Sequence, residues 1–108
     1  MVRENDVYLV LDIAHAMISA HNLEMNWQDY FLRLPLERVK EIHLSAHGMI
    51  DGKWRDLHLR PNIETYKILE YVQKSVEGEP YLIIEFYKDF PELIEIYSEV
   101  SHWLKTPK

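Results

Sequence analysis

Tyr81-Leu82-Ile83-Ile84-Glu85-Phe86 runs apolar through consecutive positions and carries a single carboxylate near its end. A strand with one wet face alternates apolar and polar residues, so an unbroken run predicts a parallel-sheet strand buried on both faces. Working outward, two further segments have similar character: Val7-Tyr8-Leu9-Val10-Leu11, ending at Asp12, and Val39-Lys40-Glu41-Ile42-His43-Leu44. Asn26, with Asp29 three residues on, predicts a short helix through Phe31 and Leu34 that Pro35 stops. Asn62 predicts the cap of a second helix, where Ile63, Tyr66, Leu69, Val72 and Val76 recur at helical spacing until Gly78 and Pro80. Asp89 and Glu92 form a capping-box pattern for a closing helix with the stripe Leu93, Ile94, Tyr97, Val100 and Leu104. Ser45 to Arg60, containing Gly48 and Gly52, reads as a long functional loop. The order β-α-β-α-β-α predicts an α/β fold of three consecutive β/α units, with parallel strands and right-handed crossovers.

Three such units are an awkward number. A closed eight-unit barrel needs roughly 250 residues, and an open three-stranded sheet leaves two bare edges. The 108 residues, 47% hydrophobic, suffice for one domain over 1–108 and leave no room for a second. Something must therefore cover the edges, either strands from a longer parent or further copies in a homo-oligomer. A formal charge of -6 with no basic cluster disfavours a nucleic-acid partner. The absence of cysteine removes disulfides and zinc-thiolate sites, so any metal must be held by histidine and carboxylate. The longest apolar run falls far below the roughly 20 residues of a membrane span, and no signal-like segment opens the chain, which predicts a cytoplasmic protein.

Candidate ligands sit at or just past the C-terminal ends of all three predicted strands: Asp12 and His15, His43 and His47, and Glu85. Strand C-termini in parallel α/β proteins converge on one face, where active sites are built. Each residue alone also has a structural reading. Asp12 can cap the following turn, His43 can be a satisfied core histidine, and His47 can face solvent. Asp56 and His58 flank Leu57 and can point the same way, or form an exposed loop pair. Glu85 is the clearest, because a carboxylate closing an apolar strand is costly to bury without a cation or hydrogen bonds. His21 reads as a loop residue, His102 as a surface residue, and Trp27, Trp54 and Trp103 as packing.

In order, D-I-A-H at 12–15, E-I-H-L-S-A-H at 41–47, D-L-H at 56–58 and I-I-E at 83–85 resemble the xylose-isomerase-like TIM barrels. L-D-I-A-H and L-P-L-E-R-V-K-E-I-H-L-S-A-H-G are similar to the multinuclear non-haem iron oxidase family, long catalogued as a domain of unknown function. The Asp-x-x-His, strand His, Asp-x-His and strand Glu series also looks like endonuclease IV. The oxidases usually carry Asn where His15 stands, so that position is more like the endonuclease. The resemblance implies the last three β/α units of the barrel, its C-terminal portion, with Asp12, His15, His43, Asp56, His58 and Glu85 as metal ligands and His47 as a possible further site residue. It implies iron, zinc or manganese in a di- or trinuclear site, a peptide or small-molecule substrate, and further ligands on a missing N-terminal barrel half. The intact protein would be a metal-dependent enzyme, and this chain alone is expected to be inactive. An endonuclease-like phosphodiesterase, a sugar isomerase-like protein and a non-catalytic interaction module retaining a partial metal site are the rival readings.

Overall fold

The computed structural model describes residues 8–76 and 78–108; Val7, the first residue of the expected first strand, lies outside them. The elements are β1 (Leu9–Asp12), α1 (Ile13–Asn22), α2 (Trp27–Phe31), β2 (Val39–Leu44), β3 (Ala46–Ile50), β4 (Lys53–Leu59), α3 (Ile63–Ser75), β5 (Tyr81–Ile84) and α4 (Phe90–Lys105). Strands β1, β2 and β5 form a parallel sheet in that order. Asp12, His43 and Ile83 share one row across it. Beyond β5 the pairing continues for one more bond, from the Glu85 amide to the Leu44 carbonyl at 3.0 Å, which carries Glu85 to the same end of the sheet.

Three β/α units do not account for the whole chain. Ser45 to Arg60, expected as a loop, contains the antiparallel hairpin β3–β4. Its turn is Asp51-Gly52, with φ of 52° and 75°, the left-handed pair that a two-residue hairpin of matching twist requires. Helix α1 was also not expected. It starts at Asp12, whose side chain caps it, and buries Ile13, Ala16, Met17 and Ala20 at helical spacing.

Leu11, Ile42 and Leu44 of the sheet pack with Met17, Phe31, Ile68, Leu69, Val72, Ile96 and Val100 in one core. The opposite sheet face is open, which corrects the expectation of strands buried on both sides: Val10 is 55% exposed, Tyr81 77% and Ile83 40%. The cause is that the helices pack against Leu11, Ile42 and Leu44, while the alternate residues carry the polar and ligand-type side chains. The expected α4 stripe divides similarly, with Val100 buried and Ile94, Tyr97 and Leu104 exposed; Ile96 contacts the core instead. No helix among the described residues is long and apolar enough to cross a membrane.

The Asn62 cap is complete: its Oδ1 accepts from the Thr65 amide at 3.0 Å, and its own amide donates to Thr65 Oγ1 at 3.2 Å. Asn62→Ala is expected to cost about 1 kcal/mol, read as a lower chemical-denaturation midpoint with an unchanged slope.

Candidate metal centre

Asp12 ends β1 and caps α1, its Oδ1 accepting from the His15 amide at 2.9 Å. The capping reading is therefore correct as far as it goes, and it leaves Oδ2 free. The cap also fixes His15 in the first turn of α1, where its Nε2 stands 3.0 Å from Asp56 Oδ2. From β2, His43 directs Nδ1 to within 3.4 Å of Glu85 Oε2.

The hairpin delivers the remaining two residues through a bulge. Ala46 pairs with Leu59 and Gly48 with Arg55, so Asp56, Leu57 and His58 on β4 lie opposite His47 alone. Extra residues bend a strand and re-aim its side chains. Here His58 takes φ of 49°, a left-handed conformation uncommon for a residue with a Cβ. Its amide donates to Asp56 Oδ1 at 3.1 Å, and the buried Ser45 hydroxyl donates to the same oxygen at 3.4 Å.

These placements yield three overlapping groups whose ligand atoms lie within 4.8 Å of one another: Asp12, His15 and Asp56; Asp12, His43 and Glu85; Asp56, His58 and Glu85. All six residues expected as ligands are included. Each carboxylate belongs to two groups and each histidine to one. Asp56 Oδ2, His58 Nδ1 and Glu85 Oε1 are buried without a hydrogen-bond partner, even though His15 is close to the first of them. An orphaned buried polar atom costs about 1–3 kcal/mol, and more when charged, whereas a cation would satisfy all three. The donors are nitrogen and oxygen only, which fits iron, zinc or manganese.

His43 is raised above the ordinary histidine value of 6.5, chiefly by its hydrogen bond to Glu41, with Glu85 adding to the effect and burial opposing it. In the metal-free protein this contact contributes stability that is complete below 6.5 and is lost as pH rises through the raised value. A cation bound at Nδ1 must displace the second imidazolium proton, the one whose loss ends this charge-assisted contribution. Metal affinity is therefore expected to rise with pH from mildly acidic to mildly alkaline conditions while metal-free stability from this contact falls, measurable by paired titrations and melts.

His47 enters none of the three groups. Its Nε2 lies 3.0 Å from His21 Nε2, and Trp54 stacks on His21 with ring centroids 3.9 Å apart. Burial, followed by His21, lowers the His47 pKa. His21 and Trp54, read as loop and packing residues, thus form a separate half-buried cluster between α1 and the hairpin. Two residues near the six had not been singled out. Glu41 contacts His43 and is signalled by its i, i+2 spacing on a strand. Tyr87 lies against the His58 ring at 5.0 Å, with no sequence signal beyond its nearness to Glu85.

Residues 1–106 match the model of a family described as RiPP precursor modification enzyme MbnB/TglH/ChrH. A UPF0276 protein of Caulobacter vibrioides is 28% identical over 101 residues, covering 94% of this chain and 36% of that protein. One from Acaryochloris marina is 29% identical over 103 residues, covering 91% and 36%. Another, from Caulobacter sp. strain K31, is 30% identical over 114 residues, covering 99% and 41%. The chain thus spans roughly a third to two fifths of the length of the curated relatives it matches. No solved structure matches it significantly.

Proposed function

Since the chain belongs to the RiPP precursor modification enzyme MbnB/TglH/ChrH family, the multinuclear non-haem iron oxidases among the xylose-isomerase-like TIM barrels, we propose that it carries part of the metal centre of an oxidase acting on a precursor peptide. The observation that carries this reading is the set of three carboxylates, each shared between two ligand groups and each group completed by one histidine. Iron bound there would supply redox chemistry with dioxygen. The chain's own residues hold the donors in place: the α1 cap orients Asp12 and His15, the bulge presents Asp56 and His58, and the last ladder bond places Glu85. Asp12, Asp56 and Glu85 contribute the negative charge that offsets a cluster of divalent cations.

The remaining ligands and the peptide groove belong, in this proposal, to the rest of the barrel, supplied by another part of the protein or by a second copy. One observation favours a second, hydrolytic reading. His15, the histidine of the Asp-x-x-His motif that looks like endonuclease IV, stands 3.0 Å from Asp56 among the ligand groups, where metals would activate water against a phosphodiester. A formal charge of -6 weighs against a polyanionic substrate.

Calorimetric titration of metal-free protein with ferrous iron under anaerobic conditions, and with zinc and manganese, tests the proposal. Wild type should bind at least one equivalent, and His43→Ala should bind at least about tenfold more weakly, a loss of about 1.4 kcal/mol. Equal binding by the two proteins would make His43 a core histidine and remove the centre of the site.

A further inference from the structure

We propose that Glu41 is a positioning residue for His43: its carboxylate takes the Nε2–H of the imidazole and so selects the tautomer whose Nδ1 lone pair faces Glu85 and Asp12. This deepens the metal-site reading and rests on it. Glu41 and His43 are two apart on β2, so both side chains leave the same, open face of the sheet. Glu41 Oε2 stands 2.6 Å from His43 Nε2, the length of a strong charge-assisted hydrogen bond. Nδ1, by contrast, is 3.4 Å from the nearest oxygen of Glu85.

Neutral imidazole has one N–H and one lone pair, and the two distances decide their places. The short contact holds the hydrogen, while the longer one leaves room for a cation between nitrogen and carboxylate. Glu41 itself joins none of the three ligand groups, whereas His43 groups with Asp12 and Glu85. It therefore stands behind the imidazole rather than beside the metal. A carboxylate in this position orients the ring and makes its other nitrogen a better donor, and losing such a partner commonly costs 10–100-fold in metal affinity.

The test has two arms on the full chain. Long-range proton–nitrogen NMR of metal-free protein, followed upward in pH until the His43 ring is neutral, reads the tautomer directly. Wild type should show Nε2–H at His43. Glu41→Gln, which keeps an accepting oxygen, should retain it, and Glu41→Leu should shift the ring toward Nδ1–H. In the second arm, zinc affinity measured by calorimetry should fall 10–100-fold in Glu41→Leu and be largely restored in Glu41→Gln. Nδ1–H in the wild type, or an unchanged tautomer in Glu41→Leu, overturns the proposal. If wild type binds no zinc, the metal-site reading fails, and the NMR arm still decides whether Glu41 sets the tautomer. Should the leucine variant fail to fold, the wild-type and glutamine spectra decide alone.

Discussion

Asp56→Asn is expected to weaken zinc or iron binding by at least about 100-fold, close to 2.7 kcal/mol, and to raise the unfolding temperature of the metal-free protein at mildly alkaline pH. The two effects have one origin. Asp56 is shared by two of the three ligand groups, and its side chain is only 8% exposed. Asparagine keeps an oxygen to accept from the His58 amide and the Ser45 hydroxyl, so the bulge in β4 survives the change. What disappears is the charge. Without metal, that charge is buried near Asp12 and Glu85 with Oδ2 unpartnered, and its removal relieves desolvation and like-charge repulsion. With metal, the same charge is the attraction that binds the cation. A structural aspartate would show the opposite pair of results, namely lost stability and unchanged metal binding. Calorimetry and thermal melting of the same preparation distinguish the two.

The parallel sheet and the convergence of ligand-type residues were legible because both follow from local rules. Apolar runs ending in polar residues mark parallel strands, and the parallel direction places their ends together. Asp12, His43 and Glu85 needed nothing more than this. Asp56 and His58 are different, because their approach depends on an extra-residue bulge and a positive φ at His58, which no periodicity encodes. The hairpin itself has a signal in Asp51-Gly52 between β-forming residues, masked by the mixed polar and apolar character of the segment around it. Helix α1 is hidden in another way: Asp12 is at once the N-cap of a full helix and a member of two ligand groups, so one residue carries both signals. The strands are covered on one side only, because the helices pack on Leu11, Ile42 and Leu44 and leave Val10, Tyr81 and Ile83 exposed.

That open face leads to the other large expected effect. The chain is expected to associate at micromolar concentration, giving a light-scattering mass that is a multiple of 13.0 kDa, and Ile83→Lys combined with Tyr97→Glu should return it to a monomer. Strands β1 and β5 are the two edges of the sheet, each with backbone groups available for pairing. Val10 and Ile83 are exposed on the open face, and on the other side of edge strand β5 a groove lined by Leu82, Ile84, Ile94, Tyr97 and Leu104 runs between it and α4, so apolar surface flanks that edge on both sides. Soluble monomers rarely leave contiguous apolar surface beyond a few hundred Å² uncovered. A micromolar dissociation constant corresponds to about 8 kcal/mol, and placing two charges in the contact is expected to raise that constant by more than about 100-fold. Ile83 shares its row with Asp12 and His43, so the surface that associates also borders the ligand cluster. Covering that surface would also exclude water from the ligand cluster beside it. A monomer mass for the wild type at micromolar concentration would show that this face stays uncovered.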